Sequence, residues 1–168
     1  MIDRITITSI GMPRDWLKTS DDMGKKIVKP VLQTLVNYWH TKFLPRHFRT
    51  GAFAKYNYKP RTARYLKRKQ RMAEHGNYQA RLPLVFTGAL KSQVSRMISI
   101  SGTGKKATGR MSAPRYIYMY GKGGNHPYLA GEVTTVSPDE AEKLTKLADD
   151  MMSKAMRDRT ETTVTRAG

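Results

Sequence analysis

Apolar residues recur along this chain with two periods, and the places where one period gives way to the other mark its elements. At the start, Ile2, Arg4, Thr6 and Thr8 alternate with Asp3, Ile5, Ile7 and Ser9, and their β-branched content predicts a strand over about residues 2–10, ended by the Gly-Met-Pro at 11–13. The period then becomes helical. Ile27, Val31, Leu35, Tyr38 and Phe43 fall roughly on one face, joined by Val28, Leu32 and Trp39, while Asp21 and Asp22 precede them where a helix dipole favours negative charge. This helix is expected to be a main core element. Pro30 lies within it and has no N–H to donate, so the helix either begins just before Pro30 or is distorted there; a start near Gly24 with a distortion is expected.

Residues 45–59 have no clear period and are followed by a basic helix. Pro60 suits a first helical turn, and Ala63, Leu66 and Gln70 recur at helical spacing as a thin stripe for the core. Arg61, Arg64, Lys67, Arg68, Lys69 and Arg71 cover most of the remaining circumference. Gly76-Asn77 breaks this helix, residues 82–86 read as a buried extended segment, and Thr87 is placed to cap a short helical turn at 88–91.

Alternation returns over 94–100, a Gly-Thr-Gly-Lys-Lys turn follows at 102–106, and further strands are predicted at 107–113 and 116–120. Residues 121–125 read as a loop, Pro127-Tyr128-Leu129 as its return to the body, and 133–136 as a short strand or extended lead. Ser137-Pro138-Asp139-Glu140 then supplies an N-cap, a proline for the first helical position and a glutamate for a capping box. Ala141, Leu144, Leu147, Ala148, Met151, Met152 and Ala155 form the apolar stripe of a last helix ending near Asp158. The predicted fold class is α+β: a mostly antiparallel sheet packed against two long helices, with a short basic helix and extended loops. One domain is expected over residues 1–158, with 159–168 a polar tail ordered only by partners.

A chain of 168 residues can bury about 70% of its unfolded surface, enough for one sizeable core. What changes the picture is charge. The formal net charge is +18, and residues 23–131 hold 22 Lys and Arg against Glu74 alone, a net +21. Such a field attracts polyanions, with salt-dependent binding, or fits an acidic protein neighbour. No apolar run approaches the ~20 residues of a membrane span, and the N-terminus lacks a signal-peptide layout, so a soluble protein that is intracellular when made, with no membrane partner, is expected. There is no cysteine, hence no disulfide and no thiolate metal site.

Catalytic patterns are incomplete. Ser-Gly-Thr-Gly-Lys-Lys at 101–106 lacks two features of a Walker loop, since Ser99 and Lys106 stand where a glycine and a Ser or Thr are needed, and it reads as a hairpin turn. His40, His47, His75 and His126 have no second ligand at helical spacing, and Glu74 and Glu132 are the only carboxylates of the body. No metal, cofactor or enzymatic activity is expected. Arg46, His47, Phe48, Arg49, Phe53, Tyr56 and Tyr58 interleave cations with aromatics, which suits either base stacking in a single-strand binder or a loop whose rings tuck into the core.

Residues 56–94 combine an aromatic and basic segment, Tyr-Leu-Lys-Arg-Lys at 65–69, and Pro-Leu-Val-Phe-Thr-Gly-Ala-Leu-Lys at 83–91. This order, over roughly a quarter of the chain, resembles the virion morphogenesis, neck and tail-completion proteins of tailed bacteriophages. The resemblance implies a structural role in the virion, after assembly in the host cytoplasm. It implies a six- or twelve-fold homo-oligomeric ring between portal or adaptor protein and tail proteins, around a channel for genomic DNA bound without sequence preference. The residues expected to face the DNA are Arg61, Arg64, Lys67, Arg68 and Arg71, with Lys105 and Lys106 as a second set. Subunit contacts are expected at the 121–129 loop, through Lys122, Asn125, His126, Tyr128 and Leu129, and at the C-terminal tail. The alternative is a freestanding basic nucleic-acid-binding protein that uses the basic helix and the aromatics of 53–65.

Overall fold

In a computed structural model the chain is described over residues 2–8, 24–76, 82–85, 88–118 and 128–166, with side chains throughout except at 2–8, 98 and 159–166. Its strands are β1 (Ile2–Thr8), β2 (Met97–Gly102) and β3 (Lys106–Ser112). Its α-helices are α1 (Lys29–Tyr38), α2 (Ala52–Lys55), α3 (Ala63–Glu74), α4 (Ala89–Val94), α5 (Leu129–Thr134) and α6 (Pro138–Arg166). The α+β class therefore holds. None of these helices is long and apolar enough to cross a membrane.

The sheet is antiparallel with β3 central, in the order β1-β3-β2. β1 runs from Ile2 opposite Ser112 to Thr8 opposite Lys106, and β2 from Met97 opposite Met111 to Gly102 opposite Ala107, with an irregularity between Met97 and Ser99. Helix α1 covers one face of the sheet, and α6 packs chiefly on α1, where packing on the sheet was expected. The order of layers is sheet, α1, α6. A helix enclosed on two sides must be apolar around most of its circumference, and Val31, Leu32, Leu35 and Val36 are all buried, flanked by Ile27, Val28 and Trp39.

The chain is helical from Gly24 to Phe48, but not uniformly so. Gly24–Val28 is a wide π-type turn, Trp39–Phe43 is another, and Leu44–Phe48 tightens to a 3-10 turn. Pro30 stands in the first turn of α1, just after the wide turn, so its missing N–H falls at the expected distortion. Gly109, on β3, explains how closely α1 approaches: a Cβ there would lie 2.7 Å from Val36 Cγ1 and 3.1 Å from the Met97 thioether. Any larger residue would push the helix off the sheet.

Four predicted elements differ. The strand expected at 116–120 is a 3-10 turn, Arg115–Tyr118, with Ile117 buried; residues 119–120 lie outside the described residues. Of the lead expected at 133–136, Val133 and Thr134 end α5 while Thr135 turns extended, as expected; Thr134 Oγ1 donates to the Ala130 carbonyl at 2.9 Å and Thr135 Oγ1 to that of Gly131 at 2.7 Å. Those bonds satisfy the hydroxyls within a helical turn, so β-branched residues are held there by context. Residue 94, expected to open a strand, closes α4 with Val94 fully buried. Finally α6 has 29 residues and runs to Arg166, past the expected end at Asp158 and through most of the polar tail. At 1.5 Å per residue it is about 44 Å long. Its buried positions are those expected, except that Ala141 is exposed and Glu140 is fully buried in its turn.

Candidate functional site

Two carboxylates, Glu132 and Glu140, are turned inward, while Glu74 at the end of α3 is exposed. Glu132, on α5, meets Arg61 in a two-pronged pair: Arg61 Nη1 donates to Oε1 at 3.0 Å and Nη2 to Oε2 at 2.5 Å, with side chains only 9% and 10% exposed. The Lys59 backbone N–H also donates to Oε1, at 3.2 Å, and the Arg61 guanidinium lies over the Phe53 ring. Such a fork is the strongest side-chain pairing available to a carboxylate. Arg61 is therefore removed from the set expected to face phosphates, because its charge is already matched by a partner 71 residues away in sequence.

Glu140 is the second inward carboxylate. It accepts from Tyr56 Oη at 2.6 Å and from the Ser137 backbone N–H at 3.4 Å, the latter being the reach-back of the expected capping box. Lys55 Nζ lies 3.5 Å from it and donates at 2.9 Å to Asp139, while Arg46 stands 4.0 Å off. The hydrogen bond from Lys55 and a second from the Ser137 hydroxyl, at 2.5 Å, hold Asp139 at about 2, below its ordinary 3.8.

Between the two carboxylates sits an aromatic stack. His47 lies 3.8 Å from the Tyr56 ring and nearly parallel to it, its Nδ1 is 2.5 Å from Tyr58 Oη, and Trp39 meets it edge-on. Burial pushes the phenols of Tyr56 and Tyr58 upward, more strongly than any nearby charge. The interleaved cations and rings of 46–58 thus follow the packing alternative: Phe48, Tyr56 and Tyr58 are buried and are closed to base stacking.

His47 itself is fully enclosed, and burial lowers it from 6.5 to about 4, the Lys55 charge adding to the effect and the nearby Glu132 backbone opposing it. From pH 6.5 down to 4 the unfolded chain takes up a proton that the folded chain refuses. This contribution is complete above 6.5 and is lost on the way to 4, worth up to about 3 kcal/mol. Asp139 adds a lower window, present above 3.8 and lost as pH falls to 2. Melting curves between pH 7 and 4 should therefore fall steeply, and His47→Gln should flatten that slope; a wild-type melting temperature constant across the window would contradict the assignment.

With Glu132 and Glu140 inside, most of the nearby cations are left outside. On α3, Arg64, Lys67, Arg68 and Arg71 are exposed, and none forms an ion pair with a described residue. The helix begins at Ala63, where the Thr62 side chain accepts from the Tyr65 N–H at 3.3 Å, and not near Pro60. Its orientation also corrects the expected stripe. Ala63 and Gln70 are exposed and Leu66 is 50% exposed, while Lys69 is buried, donating to the Leu82 carbonyl at 2.5 Å. Burial and the Arg61 charge both lower Lys69. Phe53, Tyr65, Leu66, Lys69, Leu82 and Leu84 line a crevice of about 100 Å³ beneath the helix.

The second set stands on the sheet. Thr103 Oγ1 accepts the backbone N–H groups of Lys105 and Lys106 at 3.3 and 3.2 Å, so the 101–106 segment is the expected hairpin turn, with these two amides occupied and not free to cradle phosphate. Along β3, Ala107, Gly109 and Met111 are buried against α1, so Lys106 and Arg110 point the other way and are exposed, as are Ser99 and Ser101 on β2. Arg110 was missed in the sequence reading, although the two-residue alternation from Lys106 onward carries it.

Of the expected subunit contacts, Lys122, Asn125 and His126 lie outside the described residues. Tyr128 and Leu129 are partly buried against the core of their own chain. His40 is a packing residue, its Nε2 2.8 Å from the Val94 carbonyl. No group of three His, Asp or Glu among the described residues is placed to hold a metal ion. Comparison with known proteins returns no matching family model, no matching curated protein and no matching solved structure.

Proposed function

We propose that this chain is a structural subunit of a tailed-phage virion, a neck or tail-completion protein that closes into a six- or twelve-fold ring between portal or adaptor and tail, with DNA passing through. The motif order of residues 56–94 supports this reading from the sequence. The observation that carries it furthest from the structure is the sorting of charge: Glu132 and Glu140 are buried against Arg61 and Tyr56, while Arg64, Lys67, Arg68, Arg71, Lys105, Lys106 and Arg110 are exposed without ion-pair partners among the described residues. A surface so sorted attracts phosphates by charge alone, which lets a duplex slide past without reading its bases. Open edges add to the case. Neither outer edge of the sheet, on β1 or on β2, is paired among the described residues, and such edges suit pairing with a neighbouring subunit.

A freestanding nucleic-acid binder that stacks bases on aromatics is less well supported, because Phe48, Tyr56 and Tyr58 are packed inside. Mass photometry of the purified protein, with and without short duplex DNA at low and moderate salt, separates the two. The ring reading expects a discrete ring-sized species, or a monomer that holds DNA only weakly. Tight binding by a monomer or dimer, lost steeply as salt rises, would replace it with the freestanding binder.

A further inference from the structure

Two segments about eighty residues apart meet at one point of the surface. A Cβ added to Gly104, at the tip of the β2–β3 hairpin, would lie 2.9 Å from the Cα of Gly24, at the start of the wide turn that leads into α1. The two backbones therefore touch. Beside the hairpin tip stand Lys105 and Lys106, both exposed; beside Gly24 stands Lys25, also exposed. One turn further on, the Lys29 stem lies along Gly102, its Cγ 3.4 Å from where a Cβ would be. Four ammonium groups thus start from one junction, and none of them forms an ion pair with a described residue. Like charges that start from neighbouring backbone positions repel each other, and a bound anion relieves that repulsion.

From the junction the cationic line continues along the outer face of β3. Lys106 and Arg110 share that face, about 13 Å apart along the strand. Over such a length one strand of duplex DNA presents about four phosphates. The hydroxyls of Ser99 and Ser101 are exposed on the neighbouring strand, and no large apolar side chain among the described residues is exposed on either strand. Cations flanked by hydroxyls are the groups that proteins direct at phosphodiester oxygens. On α3, by contrast, the cations share the helix with exposed Tyr65 and Leu66, whose apolar surface a phosphate backbone does not use.

We infer that the junction of Gly24 with Gly104, together with the outer face of β2 and β3, is the surface that meets the DNA backbone, through Lys25, Lys29, Lys105, Lys106 and Arg110. This rests on the proposed DNA-facing role and says which part of the basic surface fulfils it. The fold holds the lysines together through a contact that requires glycine on the hairpin side, so one methyl group can part them without removing a charge.

The test is fluorescence anisotropy of a short labelled duplex across a salt series, with the full-length protein in whichever assembly state it adopts. K105A/K106A and K25A/K29A should each weaken binding about tenfold and lower the salt slope by about 2. Gly104→Ala should weaken binding about threefold or more with every charge retained, its fold checked by circular dichroism; the two double variants carry the test if it fails to fold. R64A/K67A/R68A/R71A removes twice as many charges as either double variant and should cost less. Losses that follow only the number of charges removed, or that are largest for the α3 variant, would overturn the junction while leaving the DNA-facing reading standing. Equal competition by polyglutamate through the same lysines would reassign the surface to an acidic protein. A wild-type protein that ignores DNA at low salt, both free and as a ring, would remove the reading and the inference together.

Discussion

Glu132→Ala is expected to destabilise the fold by about 3–5 kcal/mol, read from chemical denaturation at neutral pH. The size follows from what the substitution leaves behind. The Arg61 guanidinium, with 9% of its side chain exposed, would stay buried without its carboxylate. The Lys59 N–H, which donates to the same carboxylate, would lose its acceptor as well. Paired replacement makes the argument sharper: Arg61→Met with Glu132→Leu should recover most of the loss, because two apolar side chains leave no orphaned charge. A loss below about 1 kcal/mol for Glu132→Ala would mean that water reaches the pair and that it is a surface bridge after all. The effect should extend beyond stability. Arg61 precedes Thr62, the cap of α3, so freeing it also loosens the anchor of the basic helix.

Trp39→Ala is expected to have a comparable effect, about 3–5 kcal/mol. Trp39 is fully buried in the wide turn after α1 and its ring meets His47 edge-on at 5.9 Å, so truncation opens a cavity beside the aromatic stack. Trp39→Phe should cost well under half as much. The indole Nε1–H is buried and finds no acceptor among the described residues, so removing it sacrifices no hydrogen bond seen there, and the phenyl ring keeps most of the contact. Equal losses for the two variants would show that the Nε1–H is bonded to water inside the core.

Much of this fold is legible where its determinants are local. The Ser137-to-Glu140 cap, the apolar circumference of α1 and the Thr103 hairpin turn each rest on residues within a few positions of one another, and each is where the pattern places it. Misreadings arise where a distant partner decides. The β-branched run at 133–136 favours a strand locally, yet Val133 is fully buried in a helical turn. Lys69 looks like one more solvated cation until the Leu82 carbonyl is beside it, and Arg61 until Glu132 is. For the candidate surface the division is the same. Lys105 and Lys106 stand out in the sequence, while their meeting with Lys25 and Lys29 depends on a contact between two glycines that no local pattern announces.

The strand order also carries a consequence in time. β3 is the centre of the sheet, and among the described residues β1 pairs with β3 alone, Thr8 opposite Lys106. On a ribosome adding about 5–20 residues per second, the roughly hundred residues between those partners take about 5–20 s to make. β2 and β3, joined by a turn of three residues, can zip as soon as they emerge, on a scale of microseconds. Every newly made chain therefore passes through an interval in which β1 exists without a partner. The sheet closes by the capture of a waiting strand, with the slow loop closure that so long a connection imposes.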